Sequence, residues 1–210
     1  MEFRLTYQGL VLAETIKGEL QNARATAKQE IRKRFHHQLK RLWEITPYLS
    51  EGQKEPKHGW DNAGKIFGRL PPENTIASLA KDNFRFGYRF VPLITRSLNV
   101  VCSIDVLFLR NGPPGAVISA GDVDNRLKTL FDALTMPQSA SQLGDYKEPA
   151  DDEDPFFCLL EDDSLITRAS VETDTLLEPI GDIPIENTAR VIVTVRTKLL
   201  RANHSNLGLA

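Results

Sequence analysis

Cysteine is nearly missing from this chain of 210 residues; the only two, Cys102 and Cys158, each lie inside an apolar run. That number excludes a disulfide framework and a zinc ribbon, and free Cys in apolar company behaves as a small buried hydrophobe. Long hydrophobic runs are missing as well. Nothing approaches the roughly 18–20 apolar residues that cross a bilayer, so no membrane partner is expected. The start, Met1-Glu2-Phe3-Arg4, lacks the basic-then-apolar layout of a secretory signal, and the expected location is the cytoplasm. No strand-glycine-helix pattern with Lys-Ser/Thr is present to cradle a nucleotide phosphate, and no flanking pattern supports a Ser or Cys nucleophile. What remains is 41% hydrophobic and 26% charged, enough to build a core and to exclude disorder throughout.

Charge is nearly balanced overall, at −2, but unevenly distributed. Residues 144–163 hold nine acids and one lysine, whereas residues 24–44 hold seven bases against Glu30 and Glu44. Local basic surface, not net charge, is what phosphate binding needs. Arg32, His36 and Lys40 recur at intervals of four, as do Lys33, His37 and Arg41. On a helix these two stripes flank the apolar face, and Arg32, Lys33, His36, Lys40 and Arg41 are the expected DNA contacts. The bland alternative is a solvated face whose long stems cover apolar neighbours. Adjacent histidines point about 100° apart on a helix, so His36-His37 is given no zinc role.

Alternation and helical spacing predict the order β-α-β-β-α-β-β. Residues 3–7 alternate as a short strand. Ile31, Phe35, Leu39, Leu42 and Trp43 mark one face of a helix over 26–45, which Pro47 ends. Residues 83–94 and 99–109 predict strands, with Phe84, Phe86, Tyr88 and Phe90 as alternating sheet core. Leu127, Leu130, Phe131 and Leu134 predict a second helix from about 123 to 136, stopped at Pro137. An apolar run at 156–160 and strands over 165–173 and 190–198 follow. The expected fold class is α+β, a single mixed β-sheet with two main helices packed on it. One domain over residues 1–200 carries a loop insertion at 50–73 and an acidic insertion at 138–155, the latter expected without structure; residues 201–210 form a frayed tail.

The most informative stretch is Asp122-Val123-Asp124-Asn125-Arg126-Leu127-Lys128-Thr129-Leu130-Phe131-Asp132. Two carboxylates at a helix start, with Lys128 one turn beyond Asp124, form a compact polar corner suited to a hard divalent cation. Bound there, such an ion lowers the pKa of an attacking water and neutralises a phosphate, while a lysine steadies the transition-state charge. The pair Asp162-Asp163 is the natural source of a third carboxylate. Aspartate at a helix start is also an ordinary cap, and spacing alone leaves both readings open.

The run D-V-D-N-R-L-K-T-L-F-D-A-L, followed later by L-E-D-D-S-L-I, resembles the signature of the RusA family of Holliday-junction resolvases, D-x-D-N-x-x-K-x-x-x-D-A-L with a downstream D-D pair. The resemblance covers about 14 residues closely and does not reach residues 8–98. It implies metal-holding carboxylates at Asp122, Asp124 and Asp163, a catalytic lysine at Lys128, and supporting roles for Asn125, Asp132 and Asp162. It further implies a homodimeric, Mg²⁺-dependent endonuclease (Mn²⁺ serving as well) that nicks branched DNA in recombination and repair, of the kind that prophages encode. The chain departs from the pattern in length, and 27 residues separate Leu134 from Asp162 where the family keeps the two close. The competing expectation is a catalytically silent DNA- or protein-binding module, with the acidic segment 145–154 docking a protein partner, or a nuclease for other branched DNA.

Overall fold

The strand-forming alternation is strongest near the C-terminus and organises the main sheet. In β7 (Thr188–Leu199), Val191, Val193 and Val195 are fully buried while Arg190, Ile192 and Thr194 between them stay half-exposed. β1 (Glu2–Leu10) and β4 (Val100–Arg110) pair antiparallel on its two sides, and β6 (Ile166–Thr175) runs parallel to β4, giving the order β1-β7-β4-β6. The computed structural model describes residues 1–12, 20–51, 74–111, 122–178, 180, 188–202 and 206–210, the side chains of 20, 21, 51 and 122–124 excepted. Leu5, Val193, Val106 and Val171 share one cross-strand row, so β-branched and leucine side chains meet on the covered face. The opposite face is polar, with Arg196 bridging Glu2 and Asp105.

Helix α1 (Leu20–Ile45) covers the apolar face through Ile31, Phe35, Leu39 and Trp43, as its spacing predicts, but starts six residues before the expected bound at 26. Its Gln38 accepts the Thr6 N–H at 2.8 Å and donates to the Thr6 carbonyl at 2.7 Å. That side-chain rung occupies the open edge of β1, where an unpaired strand invites aggregation. After α2 (Pro47–Glu51), residues 52–73 of the expected loop lie outside the described residues. α3 (Ile76–Asp82) is capped by Thr75, whose hydroxyl accepts the Ser78 N–H at 3.3 Å.

A smaller sheet stands beside the mixed one. The expected strand over 83–94 is broken into β2 (Phe84–Arg85) and β3 (Tyr88–Ile94) by a two-residue turn, Phe86-Gly87, with φ of +55° and +84°. β5 (Phe156–Leu160) pairs parallel to β3 and is buried along its whole length. Its alternate residues serve two cores: Phe157 and Leu159 face the main one, while Phe156 and Cys158 join Tyr88, Phe90, Met136 and Leu143 in a second. Of the predicted aromatic alternation, Tyr88 and Phe90 are core, whereas Phe84 and Phe86 are exposed. The fold class is α+β, with α1 and α4 (Asp122–Leu134) as the main helices. No helix among the described residues is long and apolar enough to cross a membrane.

Two expectations are overturned. Residues 138–155 are not without structure: they fold onto α1 as its counter-charge. Lys33 pairs with the buried Glu153 at 2.9 Å and lies over the Tyr146 ring; Asn22 and Thr26 donate to Asp145; Arg89 of β3 makes a two-pronged bond to Asp154. The approach is close enough that a Cβ at Gly144 (φ +60°) would stand 2.4 Å from the Thr26 amide nitrogen, so only glycine fits. Glu153 and Asp145 of the segment therefore satisfy α1, while Glu148, Asp151 and Asp152 stay exposed. Residues 206–210 of the expected tail are likewise docked: Asn206 is buried and donates to the Leu98 carbonyl at 2.8 Å, and Leu209 is fully buried.

Candidate active site

Helix α4 carries the D-x-D-N-x-x-K motif, and its apolar row does what the spacing predicts: Leu127, Leu130, Ala133 and Leu134 are buried. Two side chains pin it to the end of β1. The Arg126 guanidinium donates to the Val11 carbonyl at 2.8 Å, and the Thr129 hydroxyl to that of Leu12 at 2.9 Å. This fixes which way the polar ridge faces. Asp124, Lys128 and Asp132 follow one another at one-turn intervals, and Lys128 is exposed. The side chains of Asp122 and Asp124 lie outside the described residues.

Arg32 was expected on DNA and is instead the most voluminous fully buried side chain among the described residues. Its Nε donates to the Thr135 carbonyl at 3.2 Å and its Nη2 to that of Asp132 at 2.8 Å, while Nη1 donates to the Gln29 side chain. Those carbonyls belong to the end of α4, where helical backbone lacks partners. Arg32 is a C-terminal cap supplied by another helix. Lys28, one turn before it, pairs with the Asp132 carboxylate. Burial lowers the guanidinium pKa of Arg32 to about 10, still far above neutral.

His36 is corrected in the same way. It is fully buried, accepts the Phe157 N–H at Nδ1 (2.8 Å), and therefore holds its own proton at Nε2, aimed at the Asp152 carbonyl at 3.1 Å. Burial lowers its pKa to about 4, reinforced by His37 and Lys40 and opposed by Asp152 and Glu153. The neutral ring is the folded form, and unfolding restores the ordinary value near 6.5. Stability is therefore complete above about pH 6.5, falls as pH drops toward 4, and is constant with respect to this group below that. The loss is about 3 kcal/mol at most. Urea midpoints between pH 7 and 4.5 are expected to fall, and His36→Gln to flatten that slope; a variant with the wild-type slope would remove His36 as its source.

The remaining expected DNA contacts are mostly spent inside the molecule. Lys33 is tied to Glu153, and Lys40 donates to the Asp152 carbonyl at 3.1 Å. Arg41 alone stays open, at 70% exposure, paired with Glu44 on its own helix. Of the five, Arg32 and His36 are buried and Lys33 is tied to the acidic insertion, whereas Lys40 is half-exposed and Arg41 stays at the surface.

The folding away of residues 138–155 has a consequence for the carboxylates. β5 returns the chain directly to α4: the Met136 N–H donates to the Leu160 carbonyl at 3.1 Å, and Thr135 bridges Leu160. The 27-residue separation in sequence thus closes in space. Asp162 caps the short 3-10 turn Asp163–Leu165, accepting the Ser164 N–H at 3.0 Å and pairing with Arg96 at 3.3 Å. The Ser164 hydroxyl and amide, together with Arg96, hold its carboxyl below the ordinary value. Asp163 is exposed and carries no ion pair among the described residues. Asp132, Thr135, Gln142, Asp162 and Asp163 line a small pocket of about 70 Å³, and Asp132 and Gln142 also border a polar cavity of about 360 Å³ with Arg24 and Lys28.

Asp163 meets the ridge at Asp132, and a helical rise places the Asp124 backbone about 12 Å further along the axis. Three carboxylates converge on the pocket, but Asp132 is engaged by Lys28 and Asp162 by Arg96; among the described residues no three Asp, Glu, His or Cys side chains are grouped as a metal site. The donors are all hard carboxylate oxygens, the chemistry that Mg²⁺ prefers. Lys28, Arg96 and Thr135 escape sequence reasoning; only the four-residue step from Lys28 to Arg32 hinted that one row of α1 faces α4. No protein-family model matches this chain, and no curated protein or solved structure matches it either.

Proposed function

We propose that the chain is a Mg²⁺-dependent endonuclease acting on branched DNA, with four-way junctions as the first substrate to test, working in the cytoplasm as a homodimer. The observation that supports it is the return of Asp163 to the polar ridge of α4 across a folded insertion. Asp163, exposed and without an ion pair among the described residues, is presented beside the C-terminal end of that anchored helix. Asp122 and Asp124 would hold the metal, which when bound acidifies a water and neutralises the phosphate, with Asp163 facing the same ridge from its other end. Lys128, exposed on the same ridge, would contact the scissile phosphate, while Arg32 and Lys28 keep the C-terminal end of α4 and the Asp132 carboxylate in place.

Single-turnover cleavage of a mobile four-way junction, compared with linear duplex of the same sequence in Mg²⁺, Mn²⁺ and EDTA, tests this. Paired nicks on the junction that vanish in EDTA are expected. Salt-sensitive junction binding without cutting in either metal would favour the silent module. Cutting of flaps or forks in preference to junctions would keep the chemistry and replace the substrate.

A further inference from the structure

The β2–β3 hairpin is built against ordinary turn preferences. A two-residue turn with both central φ positive takes Asn-Gly or Gly-Gly, because only small residues adopt the left-handed region without strain. Here the first position is Phe86, at φ +55° and 37% exposed, so an aromatic ring is held near the hairpin tip at a backbone cost. Two residues earlier Phe84 is 63% exposed. It stands opposite Arg89 in the hairpin register and borders an open cavity of about 750 Å³ lined by Ile76, Ala77, Ala80, Lys81 and Pro155. Residue strain of this kind persists where the exposed group has a use.

Three cations, Lys81, Arg85 and Arg89, stand around the rings. Lys81 is exposed and pairs with no carboxylate among the described residues; the half-buried Arg85 donates to the Pro137 carbonyl at 3.5 Å, and Arg89 is neutralised by Asp154 and serves to hold the hairpin. Asp82 is the acid nearest in sequence. Two exposed aromatic rings flanking Arg85, with Lys81 at the end of the preceding helix and an apolar cavity beside them, match the arrangement on which unstacked bases lie while cations follow the backbone.

We propose that the hairpin is a stacking wedge for unpaired nucleotides of DNA: Phe84 and Phe86 take bases, and Lys81 and Arg85 take the adjoining phosphates. The choice of DNA as ligand rests on the nuclease reading above, and the wedge would engage strands opened at a branch point. It accounts for Phe86, which the packing of the core does not need.

The test uses the full chain in EDTA, so that no cleavage enters the reading. Anisotropy of a fluorescein-labelled oligo-dT, and quenching of a 2-aminopurine placed within it, report binding and stacking. Phe84→Ala is expected to weaken binding about tenfold and to abolish the quenching. Phe86→Asn removes the ring and relieves the left-handed backbone, so binding is expected to weaken by a similar factor while the melting temperature rises. A lowered melting temperature in Phe86→Asn would show a packing role and overturn the proposal. So would oligonucleotide binding unchanged within about twofold in both variants. A dimer that dissociates in Phe84→Ala with binding intact would assign the rings to self-association instead. Quenching lost in the variants of a wild type that does not cut junctions would keep the wedge and remove the nuclease; junction cutting by a wild type whose ring variants still bind would do the reverse.

Discussion

Arg32→Met is expected to lower the stability of the fold by about 3–5 kcal/mol, a large fraction of what a domain of this size possesses. Methionine fills much of the same volume and keeps the apolar contacts of the stem, so the loss isolates the guanidinium. Three acceptors lose their donor at once: the Asp132 and Thr135 carbonyls and the Gln29 side chain. Each buried acceptor left unsatisfied costs roughly 1–3 kcal/mol. Arg32→Lys should recover little, because one ammonium on a flexible stem does not reach acceptors spread over the fork of a guanidinium. Urea titration at pH 7 reads the effect. A change under about 1 kcal/mol would mean that water takes over the carbonyls, and that α4 is fixed by Arg126 and Thr129 alone.

That residue also marks where sequence reasoning loses its grip. The apolar stripe of α1 is legible, since Ile31, Phe35, Leu39 and Trp43 recur with helical spacing and all four are buried. The same helix buries Gln29, Arg32 and His36 on a second side, because it lies between the main sheet and the insertion. Residue type argues for solvent at those positions, and their partners lie about a hundred residues away, in backbone carbonyls that carry no sequence signature. Nothing local separates an arginine that reaches phosphate from one that reaches a helix end. The acidic insertion misleads for the complementary reason. Its charge density reads as disorder when residues 138–155 are taken alone, and as a docked counter-surface once α1 supplies the opposite charge.

The strands fare better where alternation is clean, as in β1, β4 and β7, whose ends shift by only one to three residues. The β2–β3 hairpin is hidden because the alternation of Phe84, Phe86, Tyr88 and Phe90 runs unbroken through the turn, leaving Gly87 as the single punctuating residue. An aromatic in the left-handed region defeats any reading by propensity, which is why that position yields an inference once its backbone is known. At the candidate site the motif helix and the second carboxylate segment are both legible. What spacing does not reveal is where along α4 the segment arrives, because β5 and the bridge at Leu160 set that point.

Asp124→Asn is expected to slow single-turnover junction cleavage roughly 10²–10³-fold, the effect of removing one preorganised charged group from a reacting phosphate. Asparagine keeps the size and shape of aspartate in the first turn of α4, so the melting temperature should hardly move, which separates the chemistry from the fold. Asp163→Asn should do the same, since its carboxylate is exposed and free of ion pairs among the described residues. Asp132→Asn differs: it removes the partner of Lys28 and should lower stability as well as rate. The comparison decides how the ridge is used. Equal losses at Asp124 and Asp163 would mean that both ends of the ridge act on the reacting phosphate. Loss at Asp163 and Asp132 with Asp124 indifferent would move the metal to the C-terminal end of the helix, where the pocket bordered by Gln142 already gathers carboxylates. Rates unchanged in all three would remove the carboxylate ridge from catalysis and leave the wedge hairpin as the chain's contact with DNA.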